Sequence, residues 1–166
     1  MVSGPVVLPT PPGVERVSVE TALEMRAAVM ARVAACDLFA AAAAVADYRP
    51  QEVHFEKLKK QREQLQLRLV RNPDILAEVA ALRQPPFTLG FAAETQDMER
   101  HARKKLEEKH IDIIAANLIG PADSGFASDT NRMTLFFADG RKEALEVMDK
   151  EALAHLILDR VAEQVK

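Results

Sequence analysis

A single cysteine, Cys36, leaves the chain no internal disulfide. Its stability has to come from a packed core, and a reducing compartment suits it. Tryptophan is absent and only one tyrosine is present. That scarcity removes the aromatic platforms on which nucleic-acid bases stack. A net charge of -3 supplies no global cationic field, so any anion must be held by a local group of cations. No apolar run approaches the roughly 20 residues that span a bilayer. The opening MVSGPVVLPTPPG lacks the basic start and continuous apolar core of a signal peptide. These exclusions point to a cytoplasmic protein with no nucleic acid and no membrane among its partners.

Several chemistries are also missing. The six glycines form neither G-x-x-x-x-G-K-[ST] nor G-x-G-x-x-G, so no glycine loop in this sequence cradles a phosphate. His54, His101, His110 and His155 show no metal-ligand spacing. Cys36 has no local base, which favours a structural thiol over a nucleophile. No G-x-S-x-G elbow occurs.

What is present reads as one domain of 166 residues, a size that buries about 70% of its unfolded surface. Val6 to Gly13 is proline-rich loop, and Val14 to Val17 a short strand. A helix is expected from Ser18 or Thr21 to about Ala35, with Leu23, Ala27, Met30 and Ala34 as its apolar stripe. The run from Leu38 through five alanines to Asp47 is ambiguous. Alanine favours helix, whereas a short, wholly apolar run suits a strand buried on both faces. Gln64 to Val70 alternates strictly, predicting a strand with Leu65, Leu67 and Leu69 on its covered face. Asn72 is the expected N-cap of a helix with Pro73 first and Ile75, Leu76, Val79 and Leu82 on one side. Phe87 to Ala93 predicts a buried strand in which Gly90 admits close backbone approach. A helix over Met98 to Lys109 and a strand over Asp112 to Asn117 follow. Asp139-Gly140 marks a hairpin between Arg132–Phe137 and Lys142–Val147. Asp149 caps a last helix whose stripe is Leu153, Ile157, Val161 and Val165. The fold expected is α/β, Rossmann-like: a mainly parallel sheet with helices on both faces, closed by an antiparallel hairpin and a helix.

In such sheets ligands bind beyond the carboxyl ends of the strands. Asp47, Glu94 and Asn117 each follow a predicted strand and are expected there, although each could simply be a polar strand end. Two groups of cations are candidates for phosphate. Lys57, Lys59 and Lys60 fall in a charged connection, and Lys105 and Lys109 share a helix face. Both have the plainer reading of a solvated surface, with Glu99, Glu107 and Glu108 near the second pair.

VSGPVVLPTPPGVERVSVETALEM, AAVADYRP, EKLKK, LVRNPDIL, GFAAET and IIAANLI stand in this order. Together they resemble the phosphopantothenate–cysteine ligase (phosphopantothenoylcysteine synthetase) family, usually the C-terminal half of a bifunctional bacterial coenzyme A biosynthesis protein. The resemblance covers nearly the whole chain. It implies a Rossmann-like dimer that uses CTP and a magnesium ion to activate 4'-phosphopantothenate as an acyl-cytidylate, which the amine of cysteine then attacks. It assigns Ala41, Ala42 and Ala43 to a strand end against the nucleotide, and Asp47 to a nucleotide contact. Lys57 matches the first lysine of the family's KxKK motif on a flexible lid. Pro73, Asp74, Ile75, Leu76 and Phe91 match further nucleotide contacts, partly through main chain, and Lys105 and Lys109 match a lysine pair on CTP. The metal ligands stay unassigned.

The resemblance also carries a departure. The family's domain begins with a strand, a glycine-rich turn and an SNxSSGxMG segment whose asparagine binds the acyl-cytidylate, none of it in these 166 residues. Residues 1–166 are therefore expected to form a single synthetase-like domain lacking that strand and segment. The alternative to a complete ligase is a truncated, catalytically impaired nucleotide-binding or dimerisation module.

Overall fold

The computed structural model describes residues 1–53, 56, 65–118 and 129–165. In chain order the first elements are β1 (Val2–Ser3), β2 (Val17–Ser18), α1 (Ala22–Met30), β3 (Leu38–Ala41), β4 (Tyr48–Pro50) and β5 (Leu69–Arg71). Then come α2 (Ile75–Ala80), β6 (Phe87–Glu94), α3 (Met98–Lys109) and β7 (Ile113–Leu118). The last are β8 (Thr130–Asn131), β9 (Thr134–Phe137), β10 (Lys142–Ala144), β11 (Met148–Asp149) and α4 (Lys150–Ala162). The chain divides into two compact units, one of Met1–Ala31 and Ala43–Ile75, the other of Arg32–Ala42 and Leu76–Lys166.

In the first unit β1 pairs in parallel with β2. The proline-rich loop between them is tied to Arg16, whose guanidinium donates to the Leu8 carbonyl at 3.1 Å and the Gly4 carbonyl at 3.4 Å. Thr21 is the cap of α1. Its hydroxyl accepts from the Glu24 amide at 3.1 Å while the Glu24 carboxylate accepts from the Thr21 amide, a reciprocal capping box. Further on, β4 and β5 pair antiparallel, Arg49 opposite Val70.

The second unit is built on a five-stranded sheet in the order β10-β9-β7-β6-β3. β3, β6 and β7 are parallel, and β9 and β10 add the antiparallel edge. Alternation sorts its side chains onto two faces. Leu89, Ile113, Ala115, Leu135 and Phe137 pack with Leu153, Ile157 and Val161 of α4. Ala92, Ile114, Ala116 and Phe136 pack with Ala102 and Leu106 of α3, where Leu76 and Ala80 of α2 also lie. The α/β sheet with helices on both faces and a closing hairpin and helix is therefore as expected. Gly90 admits α2 to β6, since a Cβ there would stand 2.8 Å from Leu76 Cδ2. Gly140 turns the hairpin at φ +92, and Asp149 caps α4 by accepting from the Ala152 amide at 2.8 Å.

Some expectations need correction. The alanine run is strand only as far as Ala41, because β3 has only Leu38 to Ala41 opposite Phe87 to Gly90. The first helix ends at Met30 and is followed by a 3-10 turn over Val33–Ala35. Val29 is the buried residue of this helix and Val33 that of the turn, while Leu23 of the expected stripe is 46% exposed. Only Leu69–Arg71 of the alternating leucine run is strand, and Leu65, Leu67 and Leu69 lie on an open face, not a covered one. Among the described residues β5 pairs with β4 alone, in a two-stranded sheet that leaves these leucines exposed. Val165, last in the α4 stripe, lies beyond the helix and is exposed. Most of the polar loop expected before Asn131 falls at residues 119–128, outside the described residues.

At the amino ends of β6 and β7, Thr88 is almost fully buried. Its amide and hydroxyl both donate to the Asp112 carboxylate at 2.7 Å, and its hydroxyl accepts from the Asp112 amide at 3.0 Å. Thr88→Val removes the hydroxyl from this clasp and leaves the Asp112 amide without that acceptor. It is expected to lower unfolding free energy by about 1–3 kcal/mol, read as a reduced urea midpoint at unchanged m-value.

Candidate functional site

Within the second unit, the register of the parallel strands decides what the carboxyl edge offers. Ala41 ends β3 opposite Gly90, and β6 runs on through Phe91 to Glu94. On the other side β7 keeps pace, with Ala93 opposite Asn117 and Glu94 opposite Leu118. β6 thus outruns β3 by four residues, and past Ala41 its backbone has no β3 partner. Ala42 is exposed just beyond this end, where a methyl side chain leaves the main chain open to approach. Phe91, one residue past the pairing, is 37% exposed.

Glu94 closes β6 on the face that α3 covers, sharing the parity of Gly90 and Ala92. Its side chain is 13% exposed, and both carboxylate oxygens accept from α3. Lys105 Nζ donates to Oε1 at 2.6 Å, and His101 Nδ1 lies 2.9 Å from Oε2. The two donors are four residues apart and so share one helix face. The network extends outward: Arg100 Nη2 lies 3.4 Å from His101 Nε2 and donates to Asp97 at 2.8 Å. Asp97 precedes α3 in the left-handed region at φ 51, a conformation aspartate tolerates better than most residues.

Burial acts to raise the Glu94 carboxyl, but the hydrogen bonds from Lys105 and His101, with their charges, outweigh it and hold it below the ordinary carboxylate value. The cation pair expected on α3 is therefore not symmetrical. Lys105 is matched with Glu94, not with the neighbouring Glu99, Glu107 or Glu108, while Glu108 pairs with Lys104 at 3.6 Å. Lys109, one turn on, is half-buried at the end of α3.

In the first unit the structure brings Asp47 to the Pro73 segment through Asn72. The Asn72 amide donates to the Asp47 carbonyl at 2.8 Å and its Nδ2 donates to the Ala46 carbonyl at 2.8 Å. Its Oδ1 accepts from Arg49 at 3.1 Å. Asn72 is consequently not the cap of α2, which starts at Ile75, since its side chain is spent on the Ala46 carbonyl and on Arg49 of β4. The Asp47 side chain itself is exposed, as is Ala43. Pro73 and Asp74 lie before α2, and Ile75 and Leu76 open it. Lys57, Lys59 and Lys60 lie outside the described residues.

Sequence reasoning does not find His101, whose spacing speaks only against a metal ligand. Its signal was present, since it stands one helical turn before Lys105 on the face that meets the end of β6. Cys36 is exposed, with its thiol 3.5 Å from the Arg32 carbonyl. At the opposite edge of the sheet, Arg103, Leu106, His110, Asp112 and Gly140 line a cleft. It contains none of the expected site residues.

Because the folded Glu94 carboxyl titrates below the unfolded one, its pairing contributes stability fully above the unfolded carboxylate value of about 4.3. That contribution is lost as pH falls through the folded value. Urea midpoints measured from pH 6 down to pH 3 should fall in the wild-type protein. The fall should be smaller in Glu94→Gln, which carries no titrating group there; an identical slope would mean the pair adds nothing.

Residues 1–165 match the model of the DNA/pantothenate metabolism flavoprotein C-terminal domain. The Escherichia coli (strain K12) coenzyme A biosynthesis bifunctional protein CoaBC is 50% identical over 165 residues, 97% of this chain and 40% of that protein. The CoaBC of Vibrio cholerae is 49% identical over 99% of this chain and 42% of its own length. The chain thus spans about two fifths of the curated relatives it matches. Among solved structures, the C-terminal domain of a CoaBC superposes with a TM-score of 0.81 at 34% identity, covering 98% of this chain and 72% of that one. The DNA/pantothenate metabolism flavoprotein from Streptococcus pneumoniae shares the fold at a TM-score of 0.78 and 19% identity, covering 98% of this chain and 80% of that one. The chain belongs to the DNA/pantothenate metabolism flavoprotein C-terminal domain family.

Proposed function

We propose that this chain is the ligase part of a coenzyme A biosynthesis protein, joining 4'-phosphopantothenate to cysteine with CTP as the driving nucleotide. The observation that carries the reading is the family match over residues 1–165, together with relatives bearing the name CoaBC. In the first step a carboxylate oxygen of 4'-phosphopantothenate attacks the α-phosphorus of CTP and pyrophosphate leaves. In the second the amine of cysteine attacks the acyl carbon of the resulting acyl-cytidylate, CMP leaves, and the amine gives up a proton.

The residues divide this work by type. Ala41, Ala42 and Ala43 present main chain with side chains too small to obstruct a nucleotide, and Phe91 adds a half-open aromatic face. Pro73, Asp74, Ile75 and Leu76 contribute further nucleotide contacts beside Asp47, supported by the Asn72 hydrogen bond that ties Asp47 to this segment. Lys105 and Lys109 serve the phosphates. The family pattern gives Lys57 the task of offsetting charge that develops on the triphosphate, the kind of interaction that lowers a transition state more than a ground state.

Magnesium belongs to the same proposal. Among the described residues no group of three or more His, Cys, Asp or Glu side chains converges, and both Glu94 oxygens already accept from α3. This donor set fits an ion carried on the triphosphate and its waters, with few protein ligands. Bound there, it would neutralise phosphate charge. We place the protein in the cytoplasm as a homodimer; no helix among the described residues is long and apolar enough to cross a membrane.

Pyrophosphate release on mixing CTP, 4'-phosphopantothenate and cysteine tests the reading. Lys57→Gln is expected to slow it by about 100-fold, and an unchanged rate would remove Lys57 from the mechanism. CTP binding by calorimetry without any pyrophosphate release would instead leave a non-catalytic nucleotide module.

A further inference from the structure

We infer that Glu94 is a positioning residue: it holds the Lys105 ammonium at the carboxyl edge of β6, ready to meet the phosphates of a nucleoside triphosphate. The inference deepens the nucleotide reading above and rests on it.

The geometry is that of a holder and a pointer. Glu94 ends β6 and is 13% exposed, whereas Lys105 stands on α3 with a side chain 40% exposed. A lysine so placed on a helix surface has four flexible torsions and would otherwise sweep through solvent. Here its Nζ is 2.6 Å from Glu94 Oε1. His101 occupies the other oxygen, Oε2, at 2.9 Å, so the carboxylate cannot swing away to follow the lysine. An ammonium has three N–H donors. One is spent on Glu94, and two remain for an arriving phosphate, which therefore need not break the pair.

The charges oppose this arrangement, and that opposition makes the inference testable. The Glu94 carboxylate cancels the Lys105 charge that an anion would feel. Asp97 does the same for Arg100 at 2.8 Å. If the edge attracted nucleotide by its net field alone, Glu94 would be a hindrance, and replacing it by neutral glutamine would tighten binding. If Glu94 works by orienting Lys105, the same replacement weakens binding although the site becomes more positive. The sign of the effect separates the two.

The test uses the full-length protein with CTP, reading the KM for CTP and the KM for cysteine in the pyrophosphate assay, and CTP binding by calorimetry. Glu94→Gln is expected to raise the KM for CTP about tenfold while kcat and the KM for cysteine change less than threefold. In a Lys105→Met background, where there is no ammonium left to position, Glu94→Gln is expected to add no further loss. An unchanged or lowered KM for CTP would overturn the inference while leaving the ligase reading in place. An undiminished loss in the Lys105→Met background would also overturn it, since Glu94 would then act other than through Lys105. Absence of CTP binding by the wild-type protein would instead overturn the nucleotide reading, and this inference with it.

Discussion

The parallel pairing of β6 between β3 and β7 decides where each later feature of the second unit lands. β6 is covered on both faces, with Leu89 on the α4 side and Ala92 on the α3 side. Its side chains alternate strictly, so a slip of one residue against its neighbours would exchange the two sets. Glu94 would then point toward the α4 face, away from His101 and Lys105. Two local devices oppose such a slip. Gly90 is the position where Leu76 of α2 comes down onto the strand, and any side chain brought there by a slip would meet it. The Thr88–Asp112 clasp fixes the same register at the other end of the strands. Each works on the backbone at the amino half of β6, and each sets the position of a carboxylate at its carboxyl end.

That carboxylate explains why α3 carries so much charge on its sheet-facing flank. A mostly buried acid at a strand end must be given donors or lose its charge. His101 and Lys105 supply them from one helix face, and the result is an ion pair of the shielded kind, which matters more than one in open solvent. Contrast the pairs farther out on α3. Arg103 meets Glu99 at 3.0 Å and Lys142 also reaches Glu99, but this carboxylate is 46% exposed against 13% for Glu94. They dress the surface between α3 and the hairpin, where Arg103 also lies over the Phe136 ring. Of these pairs it is the inner one, Glu94 with Lys105, that is tied to the end of β6.

Much of this was legible in the sequence because the relevant signals are local. The α3 limits, the Asp139-Gly140 turn and the Asp149 cap each depend on a few adjacent residues, and the structure has them as expected. The errors came where tertiary context outweighs local pattern. The alternation of Leu65, Leu67 and Leu69 is real, but alternation says only that the leucines share a face, never that anything covers it. Asn72 reads as an ideal cap beside Pro73, yet its amide group is drawn to Ala46 and Arg49, far away in sequence. For α1, the Leu23 stripe and the side that buries Val29 compete on similar apolar content, and spacing alone does not choose between them. At the candidate site the lysine spacing was legible while the lysine's partner was not, because Glu94 and Lys105 are eleven residues apart on different elements.

Each unit holds its own candidate nucleotide-contacting residues, and the two do so in different ways. In the second unit the leading contribution is a directed charge, Lys105, whose placement depends on a side chain, Glu94. In the first unit the leading contribution is main chain: the Asp47 carbonyl and the entry to α2 are joined by the backbone amide and carboxamide of Asn72. Backbone held by hydrogen bonds from a neighbouring segment is insensitive to the side chains it presents, which is consistent with alanines and a proline at positions assigned to ligand contact. Asn72 therefore matters to the site without being one of its contacts. Its carboxamide both donates to the Ala46 carbonyl and accepts from Arg49, and an aspartate of the same size could accept but not donate. Asn72→Asp would leave Arg49 a partner and release Ala46, loosening the turn that carries Asp47 while the strand pairing of β4 with β5 remains. The Ala46 carbonyl thus depends on a donor that only the carboxamide supplies, while the Asp47 carbonyl keeps the backbone N–H of residue 72.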